Sequence, residues 1–190
     1  MTNVTSTPST VYVSFSAEIN ANTTESLIAV MADCVSKGVP HVYLLLSTPG
    51  GTVMNGMNLY NVLRGMPFEL TTHNVGNVDS IGNVIFLAGS KRYACPHSTF
   101  MFHGVGFDGG GQRFEEQTLR ERLQNIVSDH TRIGAVIAQN SNLSPRAVAD
   151  LFRKAQTKDA AYAVSRGIVY QIKDVQIPLG APVVTLVFKR

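Results

Sequence analysis

Ser80 and His103 are the residues of this chain whose types and spacing best suit bond-making chemistry. Ser80 sits in Asn77-Val78-Asp79-Ser80-Ile81-Gly82, and His103 follows 23 positions later in Thr99-Phe100-Met101-Phe102-His103-Gly104. A serine on a tight turn and a histidine closing an apolar strand can make a nucleophile and its base. A third segment, Leu44-Leu45-Leu46-Ser47-Thr48-Pro49-Gly50-Gly51, gives a strand ending in a loop whose backbone amides can hold an oxyanion. The three pieces fall in chain order, each at the end of an expected strand. The chemistry they serve together is that of a serine hydrolase.

Periodicity supplies the elements that must position them. Val11–Phe15 alternates as a strand. Asn22-Thr23-Thr24-Glu25 reads as a capping box, and the helix it opens carries Leu27, Ile28, Met31 and Val35 on one face before Gly38 stops it. His41–Leu46 is short and almost wholly apolar, the signature of a strand buried in a parallel sheet. Val53–Met66 is helical through Met57, Tyr60 and Leu63, and Pro67 ends it. Phe68–Asn74 is expected as a strand, Ile81–Ala88 as a buried helix ending at Gly89, and Arg92–Ala94 and Thr99–Phe102 as two further strands. Strand and helix in alternation define an α/β fold built from right-handed crossovers. In such sheets ligands gather at the carboxyl ends of strands, where Gly51, Ser80 and His103 all fall.

The second half differs in character. Gly104–Gly111 holds five glycines in eight residues. Leu119, Leu123, Ile126, Val127, His130, Ile133 and Ile137 then recur at helical spacing, with Glu115 and Glu116 where the helix dipole favours acid. A helix of ~27 residues would reach ~40 Å, so it is expected to project and to pack on a neighbouring subunit. Ser144-Pro145 starts another helix, Asp159–Ser165 a short one, and Gly167 leads into a last strand.

Composition narrows the function classes. The chain has 190 residues, 44% hydrophobic and 15% charged, with a net charge of +3 and scattered basic residues, so nucleic-acid binding is not indicated. Residues 1–10 read as a flexible lead-in and residues 11–190 as one domain. Cys34 and Cys95 stand apart, without metal-ligand spacing, and read as buried thiols. With no apolar leader and no run of 18 apolar residues, the expected setting is cytoplasmic, and no membrane partner, cofactor or metal is expected. His73 is a candidate strand residue and a weak rival base; His41, His97 and His130 show no partner pattern and read as structural.

These residues resemble the proteolytic subunit of the Clp protease, within the ClpP/crotonase superfamily. Thr48-Pro49-Gly50-Gly51 is similar to that family's Ser-Pro-Gly-Gly loop, Ser80-Ile81-Gly82 to its nucleophile turn, and Met101-Phe102-His103 to its Met-Ile-His strand. The glycine-rich loop and long helix resemble the family's handle, and Ala163–Val169 its closing segment. The resemblance implies a ClpP/crotonase-like spiral of β-α units with a projecting handle helix. It assigns the nucleophile to Ser80, the general base to His103 and the oxyanion donors to the backbone N–H groups of Gly51 and Ile81. It also implies a homo-oligomer, as a ring or stacked rings, with peptide or unfolded protein as substrate and an ATPase unfoldase as partner. Only ten residues precede the first strand, so the family's N-terminal docking elements are expected to be absent.

Two departures shape the expected function. The aspartate that completes the family's triad falls on Ala155, twelve positions before Gly167, with Asp150 and Asp159 on either side. Asp79 stands where the family has a small residue, and a carboxylate there would favour a charged His103. The expected function is a serine endopeptidase acting through a Ser80–His103 pair. The alternative, favoured by Ala155, is a catalytically silent ClpP-like subunit serving as scaffold or partner of an active paralogue. A signal-peptide peptidase relative would use a lysine base where this chain has His103, and a crotonase-type acyl-CoA enzyme would not need the pair.

Overall fold

The computed structural model describes residues 8–107 and 109–188; residues 1–7 of the expected lead-in lie outside the described residues. In chain order the elements are β1 (Val11–Ser16), α1 (Ala21–Ser36), β2 (His41–Thr48), α2 (Val53–Gly65), β3 (Glu69–Asp79), α3 (Gly82–Phe86), β4 (Lys91–Ala94) and β5 (Thr99–Phe102). They continue with α4 (Glu116–Gln139), α5 (Pro145–Lys154), β6 (Gln156–Asp159), α6 (Ala160–Ser165), β7 (Gln171–Ile172) and β8 (Val183–Thr185). No helix among the described residues is long and apolar enough to cross a membrane.

The apolar runs of β1 and β2 make them a parallel pair, and β3 adds in parallel to β2. β3 then serves two parallel partners in succession. Thr71–Asn74 pair with β4, and Asn77–Asp79 pair with β5. This division turns the sheet into the expected spiral of β-α units, with β7 parallel to β4 and β6 antiparallel to β5. The core between sheet and helices is filled by fully buried Phe15, Leu27, Met31, Leu44, Leu46, Leu59, Phe86 and Phe100. β2, β3 and β5 end at Thr48, Asp79 and Phe102, so the Gly51 loop, Ser80 and His103 emerge at the carboxyl ends of neighbouring strands.

Several elements depart from the sequence expectation. The capping box is real but lies two residues earlier. Asn20 Oδ1 accepts from the Thr23 N–H, and Thr23 Oγ1 accepts from the Asn20 N–H, both at 3.0 Å. Thr23 thus takes the role expected of Glu25, because its buried hydroxyl also donates to Glu18 O at 2.6 Å. β3 runs to Asp79 rather than ending at Asn74, since the Asn74 amide donates to Thr99 O and carries the strand across to β5. α3 is only five residues long, because Leu87 and Ala88, expected to continue it, close in a turn in which the Ala88 N–H donates to Ile85 O at 3.0 Å. β6 and β8 were not expected; their pairing comes from β5 and β1, and β6 has no apolar alternation of its own.

The long helix spans 24 residues, or ~36 Å at 1.5 Å per residue. Its last turns bury Ile133, Val136 and Ile137, while Leu119, Leu123 and Val127 are exposed. The first half is therefore a projecting handle with an apolar stripe.

Arg92 clamps the closing segment to the sheet. It is 5% exposed, and its Nε donates to Ile168 O at 2.8 Å. Its Nη2 donates to Asn140 O at 3.0 Å and Gly167 O at 3.1 Å, and the guanidinium lies 4.4 Å from the Tyr170 ring centre. Desolvation pushes its pKa down, yet a guanidinium keeps its charge even so. Removing the donor group strands three carbonyls inside the protein. Arg92→Met should cost ~3–5 kcal/mol in urea unfolding. A loss below ~1 kcal/mol would show that water replaces the clamp.

Candidate active site

The turn that presents Ser80 is held on both sides of the residue. Its N–H donates to Met101 O on β5 at 2.9 Å, and its carbonyl accepts from the Asn83 side-chain amide at 3.0 Å. The same amide reaches Met101 O at 2.9 Å, so Asn83 staples the serine turn to the strand that carries His103. Ser80 has φ +57°, a left-handed conformation that costs a non-glycine residue roughly 1–2 kcal/mol. These bonds hold it there.

The glycine loop comes against this turn with no space between them. A Cβ on Gly50 would lie 2.6 Å from Ser80 Cβ, and one on Gly51 2.2 Å from Ile19 O. Ile19 N–H donates to Gly50 O, and Thr52 N–H donates to Ile19 O, both at 2.8 Å. Among the described residues, the Gly51 and Ile81 N–H groups donate to no protein acceptor.

All four residues singled out from sequence meet at one place. Gly51, Ser80, Ile81 and His103 line a single cavity of about 400 Å³, walled by Val53, Met54, Phe102, Ile133 and Phe152. His103 is exposed and Ser80 half-buried. Among the described residues no hydrogen bond joins the Ser80 hydroxyl to the His103 ring; catalytic contacts of this kind often tighten only with substrate in place.

The position expected to hold a third member is now fixed in space. β5 and β6 pair Phe102 with Gln156, so Ala155 precedes the last pair of this ladder and His103 follows it. Ala155 is exposed and itself has φ +46° at the end of α5. Neither flanking acid takes its place. Asp150 pairs with Arg153 at 2.9 Å, which lowers its pKa, and Asp159 accepts from Tyr162 N–H at 2.7 Å as the cap of α6. Asp79 accepts from the Asn77 amide at 2.6 Å. Among the described residues Asp129, ion-paired with Arg132, is the one carboxylate lining the cavity. Sequence reasoning missed Asp129 and Asn83. A buried asparagine in an apolar stretch was the available signal for Asn83.

A spiral α/β sheet with a serine turn, a strand-end histidine and a projecting helix defines the ClpP-like class of fold. The chain belongs to the Clp protease family, whose model matches residues 4–176. It is similar to ATP-dependent Clp protease proteolytic subunit 2 of Chlamydia trachomatis (serovar D), with 31% identity over 99 residues, 47% of this chain and 49% of the relative. It is likewise similar to ATP-dependent Clp protease proteolytic subunit 1 of Chlamydia felis, with 32% identity over 99 residues and the same shares of each chain. The chain thus spans about half the length of the curated relatives it matches.

His73, the rival base, lies elsewhere and is fully committed. It has no exposed surface; its Nε2 is 3.0 Å from Lys173 O and its Nδ1 2.8 Å from the Tyr43 hydroxyl. The carbonyl can only accept, so Nε2 carries the proton and Nδ1 accepts from Tyr43. Burial pushes its pKa down from 6.5 to about 4. Between those values the unfolded chain binds a proton that the folded chain refuses. The stabilisation is therefore complete above pH 6.5 and is lost as pH falls toward 4, on the order of 3 kcal/mol. Urea unfolding of the native chain and His73→Gln at pH 7 and pH 4.5 checks this. The native chain should lose more stability on acidification, and equal losses would remove His73 as the cause.

Proposed function

We propose that the protein is a serine endopeptidase in which Ser80 attacks a peptide carbonyl and His103 takes its proton. The backbone N–H groups of Gly51 and Ile81 stabilise the tetrahedral oxyanion, each donor being worth ~3–4 kcal/mol in comparable sites. The acyl-enzyme on Ser80 is then released by water, with His103 as base a second time. The observation that carries this reading is the convergence of all four groups on one cavity, with both amides unspent. The exposed stripe of Leu119, Leu123 and Val127 supports assembly through the handle, and unfolded protein delivered by an ATPase partner is the substrate class that accords with the relatives' names.

A second reading has its own observation. Ala155, next to the Phe102–Gln156 pair from which His103 leaves the sheet, offers no acid to orient the ring, as in a silent subunit partnered by an active paralogue. Loss of that acid's function costs ~10⁴-fold in serine protease triads.

Intact-mass analysis after a fluorophosphonate probe separates the two. The native chain should take one label, and Ser80→Ala and His103→Ala should abolish it. A folded chain that takes no label supports the silent subunit and sinks the peptidase. Ala155→Asp should raise the labelling rate by ~10²-fold or more, toward the full value of a triad acid. No gain in a folded variant would mean that position 155 does not orient His103.

A further inference from the structure

His130 read as structural in sequence, on a helix with no partner pattern. In the fold, its Nε2 accepts the Val105 N–H at 2.7 Å. Among the described residues this is the one hydrogen bond by which the stretch from His103 to Phe107 is held to the rest of the fold. The stretch opens a loop rich in glycine, whose ordering costs more backbone entropy than any other residue type would. Val105 lines the same cavity as Ser80 and His103. The imidazole is itself fixed. It stacks on Phe152 with ring centres 5.6 Å apart and planes at 29°, and Phe152 is another wall of that cavity. A Cβ on Gly104 would lie 2.9 Å from His130 Nε2, so the chain passes the ring as closely as glycine alone permits.

We propose that His130 is a positioning residue, holding the segment after His103 through Val105 and so setting His103 against Ser80. The inference rests on the reading of Ser80 and His103 as the reacting pair. His130 touches neither substrate nor the reacting atoms; it acts through a backbone amide two residues from the base. Because Nε2 accepts, the ring must be neutral with its proton on Nδ1, and any acceptor of similar reach can replace it.

The test compares the full-length native chain with His130→Phe and His130→Gln. His130→Phe keeps a ring against Phe152 and removes the acceptor, whereas His130→Gln offers an amide oxygen in its place. Two readouts are taken: the rate of fluorophosphonate labelling, and amide hydrogen exchange of the peptide containing Val105. His130→Phe should slow labelling ~10–10²-fold and speed exchange at Val105, and His130→Gln should recover both in large part. A folded His130→Phe that labels at the native rate overturns the inference, as does a His130→Gln no better than the phenylalanine variant. Should His130→Phe not fold, exchange in the native chain decides: a Val105 amide as unprotected as that of Gly106 overturns it. A native chain that takes no label refutes the assignment of Ser80 and His103 instead, while exchange still reports whether His130 holds the segment.

Discussion

Ile19, Gly50 and Gly51 approach one another so closely at the carboxyl end of the sheet that no side chain fits between them, and the site depends on that approach. Two backbone hydrogen bonds of 2.8 Å bind Ile19, in the segment that follows β1, to the loop after β2. The same loop presses Gly50 against the Cβ of Ser80. Three chain segments that leave a parallel sheet at adjacent strand ends are thereby drawn into contact through backbone alone. A parallel sheet buried on both faces cannot be adjusted strand by strand, because each strand's register is set by its neighbours. The position of Ser80 relative to the Gly51 amide is therefore a property of the whole β1–β2–β3 register, not of a local loop.

The polar groups inside the fold follow the same logic. A buried donor without an acceptor costs more than a hydrogen bond returns, and several of the buried side chains here have backbone partners some distance away. Thr72 donates to Phe86 O, Asn83 to Ser80 O and Met101 O, and Arg92 to three carbonyls of the closing segments. These bonds tie together elements whose apolar faces alone would leave their relative positions loosely set. Asn83 links β3 to β5, and Arg92 links β4 to the ends of α4 and α6.

How much of this was legible in the sequence depended on how local the cause was. That Gly51, Ser80 and His103 would come together was legible because each falls at the end of an expected strand, where the loops of an α/β sheet converge. The helix after Asn20 was legible but its start was misjudged, since Asn20 and Asn22 are both good caps and only the burial of Thr23 decides between them. β6 was illegible: Gln156-Thr157-Lys158-Asp159 has no strand pattern, and only β5 beside it makes it a strand. Asn83 and His130 were illegible in role for the same reason. Their partners, Met101 and Val105, lie 18 and 25 residues away. What pairing or a distant carbonyl imposes leaves no period in the chain.

Ser80 and Ala155 are the two non-glycine residues with positive φ among the described residues; Ser80 shares the cavity of His103, and Ala155 adjoins the Phe102–Gln156 pair beside it. Strain of this kind persists only where surrounding structure enforces it. At Ser80 the enforcing bonds come from Met101 and Asn83. At Ala155 they come from its own N–H to Leu151 O, which ends α5, and from β6 turning back along β5. Left-handed backbone is more comfortable for aspartate or asparagine than for alanine, because a short polar side chain can bond locally. The backbone at position 155 therefore suits an acid, though the side chain there carries none. Since the reversal from α5 into β6 is held by bonds that use no side chain of residue 155, the fold around His103 survives without the acid. Fold and charge are separable at that position: the bonds that set its backbone would be the same with or without a carboxylate there.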